Sequence, residues 1–148
     1  MKNNLKTYSG ESLEGNFYAI GLNYKKADAD IRGRFSISDS AKENILIQAK
    51  AEGIPSLTVI STCNRTELYG FAQHPYQLIK LLCQHTNGTV ADFEKVAYIY
   101  KNHDAVSHLF TVGTGLDSQI LGDFEIISQL RNSFRESKKH DIVNPFME

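Results

Sequence analysis

The chain lacks the features that mark membrane, secreted and strongly basic proteins. Its 16 Lys+Arg and 17 Asp+Glu residues give a formal net charge of -1, so the positive field of a dedicated nucleic-acid-binding protein is missing, while contact with RNA stays open. Its longest apolar runs, such as residues 78–83, are far shorter than the roughly 20 residues of a membrane span. Residues 1–6 contain no apolar signal-peptide region, so we expect a cytoplasmic protein whose 2 cysteines are free thiols.

What is present fits one globular domain. The 148 residues are 41% apolar and 22% charged. Residues 1–15 are polar and show no period, which predicts a flexible N-terminal arm, and residues 16–148 then form a single folded unit. Apolar and β-branched runs predict strands at residues 17–22, 57–60, 67–72 and 96–100.

Helical periodicity supplies the elements between these strands. One helix is predicted from Ala41, because Ser40 and Glu43 stand at capping-box spacing, and it should stop at Gly53. A second helix is predicted after Pro75, where leucines recur at helical spacing. The order β-α-β-β-α-β predicts an α+β fold of the ferredoxin-like sandwich type, with helices covering one face of the sheet.

Two additional helices are predicted on the C-terminal side of this sandwich. Asp104 and Asp123 are placed as their N-caps. The residues expected to face inward are Ala105, His108, Leu109 and Val112 in the first helix and Ile126, Ile127, Leu130 and Phe134 in the second.

Cys63 is the first candidate for chemistry. It lies in a short predicted loop directly after a buried strand, where a scaffold typically presents reactive groups. Arg65 and the free amide groups of a tight turn favour its thiolate, which is the nucleophilic form. Free cysteine is commonly a small buried residue, and Cys83, set among leucines in a predicted helix, fits that interpretation. The polar neighbours of Cys63 favour a chemical role instead.

His108 is the second candidate. On an apolar helical face a buried, hydrogen-bonded histidine is the ordinary interpretation, and a catalytic role is the alternative. A metal site is not predicted, because His103 and His108 do not share a helical face and no second cysteine has zinc-site spacing. Residues 113–118, GTGLDS, begin like a dinucleotide-binding motif but lack its third glycine and follow a helical pattern.

A basic stretch lies in the connection after the first strand. It consists of Lys25, Lys26, Arg32 and Arg34, interrupted by acidic residues. A solvated loop is the ordinary interpretation of such a mixture, and contact with a phosphate backbone is the alternative.

Four segments, taken together, resemble one family. Residues 61–69, STCNRTELY, resemble the active-site segment of glutamyl-tRNA reductase. Residues 21–25, GLNYK, resemble its N-terminal GINHK motif, and residues 104–110, DAVSHLF, resemble its histidine helix. Residues 115–118 and 121–123 resemble its later signature, so the resemblance spans about residues 17–137 and keeps the family's order.

The resemblance implies that residues 16–148 are a ferredoxin-like catalytic domain that binds glutamate and the acceptor end of tRNA. Members of the family continue into an NADPH-binding Rossmann domain and a helical dimerisation domain. We therefore expect this chain to be an isolated N-terminal domain with no cofactor-binding residues and no metal. The resemblance also implies glutamyl-tRNA as substrate, a homodimer for the full-length protein, and glutamate-1-semialdehyde aminomutase as the partner that receives the product.

By this resemblance Cys63 is the nucleophile. Its thiolate attacks the ester of glutamyl-tRNA, and the full enzyme reduces the thioester with NADPH to glutamate-1-semialdehyde for tetrapyrrole biosynthesis. His108 would be a catalytic proton carrier near the ester, and Arg65 would bind the substrate carboxylate. The other implied substrate-binding residues are Thr62, Asn64, Ser118, Asp123, Phe124, Glu125 and Gln129.

Departures from the family pattern bear on the later contacts. Tyr24 stands where the family usually has histidine, and residues 123–125, DFE, stand where it usually has Glu-Pro-Gln. Without the NADPH-binding domain we expect at most an esterase activity. Two alternatives stay open from the sequence: a non-catalytic adaptor that binds tRNA or a protein, and a thiol-dependent hydrolase of small esters.

Overall fold

A four-stranded antiparallel sheet forms the centre of the protein. The computed structural model describes residues 15–114 and 124–142, and within them the strands are β1 (Asn16–Asn23), β2 (Leu57–Ser61), β3 (Arg65–Ala72) and β4 (Tyr98–Lys101). Their order across the sheet is β2-β3-β1-β4, and every neighbouring pair runs antiparallel. The prediction of a mixed α/β domain is confirmed.

Helices cover both faces of this sheet. Within the described residues they are α1 (Ala29–Arg34), α2 (Asp39–Ala51), α3 (Pro75–Gln84), α4 (Val90–Val96), α5 (His103–Gly113) and α6 (Phe124–Lys139). Helices α2 and α3 pack on one face, and α5 and α6 pack on the other. The two helices of the predicted β-α-β-β-α-β unit thus lie on one face, and the two C-terminal helices, for which the sequence predicted no face, bury the other.

Strand alternation divides the core into two clusters. Ile20 and Leu22 of β1 point into the larger cluster, under α2 and α3. Ala19 of β1 and Tyr69 of β3 point into the smaller cluster, under α5 and α6. Because both faces are covered, strands β1 and β3 are buried almost throughout, and any polar side chain on them needs an internal partner.

The strand ends and two short helices differ from the prediction. Strand β3 begins at Arg65, two residues before the predicted start. Strand β4 begins at Tyr98, because Val96 still belongs to helix α4. Helices α1 and α4 were not predicted; they are short, and side-chain caps at Asp28 and Thr89 define their beginnings.

Two predicted N-caps are wrong. Ser38, not Ser40, accepts a hydrogen bond from the amide of Ala41 at 3.2 Å, so α2 begins two residues early and the predicted capping box does not form. Asn102, not Asp104, precedes α5, and its side-chain oxygen binds the backbone of strand β1. The N-terminal arm up to residue 14 and the predicted cap at residue 123 lie outside the described residues. None of the helices in the described ranges has the length and hydropathy needed to cross a bilayer.

Candidate active site

The predicted nucleophile lies at the tip of the hairpin that joins β2 to β3. Only residues 62–64 separate the strands, and the Thr62 amide donates to the Arg65 carbonyl at 2.8 Å to close the turn. The Asn64 amide donates to Thr62 Oγ1 at 3.2 Å, a local bond typical of threonine in turns. Cys63 is exposed, so the turn presents a thiol to solvent.

The segment that follows β1 holds the other side of this turn. The Tyr24 amide donates to the Asn64 carbonyl at 3.0 Å. Arg32 Nε donates to the Cys63 carbonyl, also at 3.0 Å. Both carbonyls at the tip of the turn are therefore bound by residues that are distant in sequence.

The carboxylate of Glu67 is buried completely on the α5 side of the sheet. Its Oε2 contacts His108 Nε2 at 2.6 Å and Arg65 Nη1 at 3.3 Å. The Tyr69 hydroxyl donates to Oε1 at 2.6 Å, and the Tyr98 hydroxyl donates to Oε2. A buried carboxylate needs such partners because an isolated charge in a protein interior is very costly. Glu67 thus joins β3, β4 and α5 around one anion.

Three tyrosine rings surround His108. The distances from its ring centroid are 4.7 Å to Tyr100, 4.9 Å to Tyr98 and 6.3 Å to Tyr69. The His108 side chain is 10% exposed, as expected for the buried, hydrogen-bonded histidine of the ordinary interpretation. Glu67 and the aromatic walls together fix the orientation of its ring.

The charges in this cluster compensate one another. Burial by itself raises the pKa of Glu67, but the hydrogen bond and charge of His108, with Arg65 and the Tyr69 hydroxyl, outweigh burial and hold that pKa below its ordinary 4.5. Burial and the Glu67 carboxylate raise the pKa of Tyr69 well above 10.0. At neutral pH the cluster therefore contains a carboxylate that accepts from a neutral phenol.

Gly21 leaves the space through which Glu67 reaches Tyr98. Gly21 is the register partner of Glu67 in β3 and of Tyr98 in β4, so it lies between them in the sheet. A Cβ atom at Gly21 would lie 2.8 Å from Glu67 Cγ and 2.4 Å from the Thr66 carbonyl oxygen. Glycine is therefore required here by a close approach of its neighbours.

The structure brings several predicted site residues together. Thr62, Cys63 and Asn64 share the turn, and Arg65 and His108 meet on Glu67. The Arg65 side chain is only 2% exposed, so it does not project into solvent beside the thiol. Within the described structure no hydrogen bond joins His108 to Cys63.

The later predicted contacts are only partly described. Ser118 and Asp123 lie outside the described residues. The backbone of Phe124 and Glu125 belongs to α6, but their side chains lie outside what the structure describes. Gln129 lies on α6 and is half-buried. Across residues 15–114 and 124–142, no group of three His, Cys, Asp or Glu side chains is placed to hold a metal ion.

Glu67 and Tyr98 had no assigned role in the sequence, and the contact of Arg32 with the cysteine turn was not predicted. The signal for Glu67 was a carboxylate within a continuous buried strand, at period-two spacing from Arg65 and Tyr69. The roles of Tyr98 and Arg32 depend on contacts across 31 residues each, for which the sequence offered no signal. Arg32 binds two backbone carbonyls, so it is not the solvated residue of the ordinary interpretation.

The protein is thus a domain with an antiparallel sheet and packed helices that presents an exposed thiol, Cys63, on a turn. A buried cluster of Arg65, Glu67 and His108 begins two residues after that thiol, so the class is that of domains with a candidate thiol active site. The chain belongs to the family of the glutamyl-tRNA(Glu) reductase N-terminal domain, whose family model matches residues 20–148.

The names of similar proteins support membership of this family. Glutamyl-tRNA reductase of Flavobacterium psychrophilum is 73% identical over 132 residues, which are 89% of this chain and 32% of that protein. The protein of the same name from Christiangramia forsetii is 68% identical with the same coverage. A solved structure of glutamyl-tRNA reductase from Methanopyrus kandleri shares the fold, with a TM-score of 0.69 at 19% identity, over 87% of this chain and 30% of that one. The chain thus spans about a third of the length of the curated relatives it matches.

Proposed function

We propose that this domain performs the acyl-transfer step of a glutamyl-tRNA reductase, with Cys63 as the nucleophile. The observation that carries the proposal is the exposed thiol on a turn whose two tip carbonyls are both hydrogen-bonded. A fixed and accessible thiol suits attack on a large ester, because the reacting atoms must meet in one orientation. The names of the relatives at 73% and 68% identity support glutamyl-tRNA as that ester.

In the proposed step the Cys63 thiolate attacks the carbonyl carbon that joins glutamate to its tRNA. A C–S bond forms, the C–O bond to the ribose breaks, and the ribose oxygen leaves with a proton. Glutamate then remains on Cys63 as a thioester. When one water molecule attacks this thioester, glutamate is released and the thiol returns, so the domain by itself acts as an esterase.

His108 is the proposed proton carrier for the leaving ribose oxygen. Its Nε2 lies 2.6 Å from Glu67, which orients the ring for that role. Arg65 is the proposed partner of the substrate carboxylate, because a guanidinium fork matches a carboxylate. Since Arg65 is 2% exposed and contacts Glu67, this pairing requires that the substrate enter beside the turn or that the guanidinium leave Glu67. The other substrate-contact roles, at Thr62, Asn64, Ser118, Asp123, Phe124, Glu125 and Gln129, are proposed on the resemblance alone.

NADPH supplies the hydride that reduces the thioester in the proposed full reaction. The described residues do not fit this cofactor: every strand pairing among them is antiparallel, and Gly113 lies in a helix instead of following a strand. The hydride step is therefore not assigned to any described residue of this chain.

Other parts of the proposal concern fold type and partners. The β2-β3-β1-β4 order, with helices between β1 and β2 and between β3 and β4, supports the ferredoxin-like description. The cytoplasmic location, the homodimer of the full-length protein and the aminomutase partner rest on the sequence and the family resemblance.

The test follows the release of glutamate from glutamyl-tRNA by the 148-residue chain. We expect the parent to release glutamate at least about tenfold faster than Cys63→Ala, a barrier difference of roughly 1.4 kcal/mol. Cys83→Ala is the matched control, because Cys83 is a half-buried thiol in α3, and it should equal the parent. Equal rates for the parent and Cys63→Ala would contradict the proposal.

A further inference from the structure

The segment between β1 and the end of α1 folds against the turn that carries Cys63. It contributes two hydrogen bonds to consecutive carbonyls: Tyr24 binds the carbonyl of Asn64, and Arg32 binds the carbonyl of Cys63. The second bond spans 31 residues of sequence, so it closes a long loop and is not a consequence of local turn geometry.

The guanidinium of Arg32 bridges two backbone carbonyls. Its Nε donates to the Cys63 carbonyl at 3.0 Å, and its Nη1 donates to the Ala27 carbonyl at 2.7 Å. Asp28 caps helix α1 by accepting from the Ile31 amide at 2.9 Å, which fixes the helix from which Arg32 extends. The cysteine turn is thereby tied to a capped helix and to the loop before it.

We propose that Arg32 is a positioning residue for Cys63. This inference rests on the proposed function, in which Cys63 is the nucleophile. The carbonyl that Arg32 binds belongs to Cys63 itself, so the bond restricts the ψ angle of that residue and the direction of its Cα–Cβ bond relative to the scaffold. The planar guanidinium of arginine supplies these two donors in a fixed geometry, whereas the ammonium of lysine is a compact point charge on a flexible stem.

Arg34 provides a matched control on the same helix. It pairs with Asp30 at 2.9 Å and with Asp92 at 3.5 Å, and among the described residues its side chain makes no hydrogen bond to the turn. Its side chain is 45% exposed, and exposed ion pairs contribute little to stability. Substitution of Arg34 therefore removes the same charge from the same helix without touching the support of Cys63.

The sequence also allowed Arg32 to bind a tRNA phosphate, and the two roles predict different kinetics. A positioning residue affects the rate constant of acyl transfer and leaves the half-saturating concentration of glutamyl-tRNA unchanged. A phosphate contact raises that concentration and leaves the rate constant unchanged. Two of the three guanidinium nitrogens of Arg32, Nε and Nη1, already donate to backbone carbonyls, which favours positioning.

The first experiment measures amide hydrogen exchange in the 148-residue chain and its variants Arg32→Met, Arg32→Lys and Arg34→Met. The reporters are the amides of Tyr24 and Asn64, which are hydrogen-bonded to the turn. We expect exchange at both amides to be at least about tenfold faster in Arg32→Met and Arg32→Lys, and within about twofold of the parent in Arg34→Met. Parent-like exchange in Arg32→Met, or full restoration by lysine, would overturn the proposal.

The second experiment measures single-turnover acyl transfer from glutamyl-tRNA with the same proteins. We expect the rate constant to fall roughly 10- to 100-fold in Arg32→Met, with an unchanged half-saturating concentration and no change in Arg34→Met. Faster exchange with an unchanged rate constant would overturn positioning, and a raised half-saturating concentration alone would favour phosphate binding. If the parent transfers no acyl group, the proposed function fails, while the exchange data still test the contact of Arg32 with the turn.

Discussion

Glu67 Oε2 and His108 Nε2 lie 2.6 Å apart in the interior, and this contact connects the strand that follows the cysteine turn to helix α5. The same carboxylate oxygen contacts Arg65, two residues after Cys63. The exposed thiol therefore lies two residues before Arg65, the first residue of β3 and a member of this buried ionic cluster. We therefore expect both the stability of the domain and the geometry of the proposed site to depend on Glu67.

Replacement of Glu67 by glutamine tests this dependence. The change keeps the size of the side chain but leaves Arg65 and His108 without their buried carboxylate. We expect the free energy of unfolding to fall by about 3 kcal/mol, because removal of one partner leaves an uncompensated buried charge. Urea unfolding measures the loss, and Glu94→Gln, at an exposed position of α4, should stay within about 0.5 kcal/mol of the parent. A loss below about 1 kcal/mol in Glu67→Gln would contradict the account.

The difference in unfolding free energy between the parent and Glu67→Gln should depend on pH in a defined direction. The folded protein holds the pKa of Glu67 below 4.5, so the unfolded chain binds more protons on this group as the pH falls. The stabilisation is fully present above the ordinary pKa and is lost as the pH falls through the lower, folded value. We expect the gap in unfolding free energy between the parent and Glu67→Gln to shrink as the pH falls below about 4.5. If the difference in unfolding free energy instead grew on acidification, the pKa of Glu67 in the folded protein would not be lowered.

Alanine substitutions at Gly21 and Gly33 test whether Gly21 is required because its neighbours lie too close for a side chain. Gly21→Ala should lower the free energy of unfolding by about 1–3 kcal/mol, because the added methyl group would overlap Glu67 and the Thr66 carbonyl. Gly33→Ala is the control: it lies within α1, an added methyl group would meet no atom within 4 Å, and the substitution should stabilise the protein by about 0.5–1 kcal/mol. Thermal and urea unfolding measure both effects. Equal changes in the free energy of unfolding for the two substitutions would contradict the requirement for glycine beside Glu67.

The sequence predicted most of the sheet and much less of the site. The runs around Ile20, Val59 and Leu68 predict buried strands, because continuous apolar and β-branched residues are typical of strands in a core, but they do not show which elements cover each face. Period-two spacing in β3 relates Arg65, Glu67 and Tyr69. The contacts of Glu67 with Tyr98 and His108 were not predictable, since these two residues come from β4 and α5 and have no common spacing with β3. The same holds for Arg32, whose partners are backbone carbonyls and whose helix α1 has no buried residue to give it a periodic pattern.

The two cysteines should differ in reactivity. Burial, with a smaller effect of Glu94, raises the pKa of Cys83 to about 11, so almost none of it is thiolate near pH 8. Cys63 is exposed on its turn. We expect iodoacetamide at pH 8 to modify Cys63 at least about tenfold faster than Cys83, as measured by peptide mass spectrometry over time. Similar rates at the two sites would contradict the assignment of Cys63 as the accessible thiol.

Intact-mass spectrometry after brief incubation with glutamyl-tRNA and an acid quench tests directly whether Cys63 accepts the glutamyl group. We expect a single glutamyl adduct on the parent, located by peptide mapping at Cys63, with the same adduct on Cys83→Ala and none on Cys63→Ala. An adduct that persists in Cys63→Ala, or a parent that shows neither an adduct nor faster glutamate release than Cys63→Ala, would contradict this expectation.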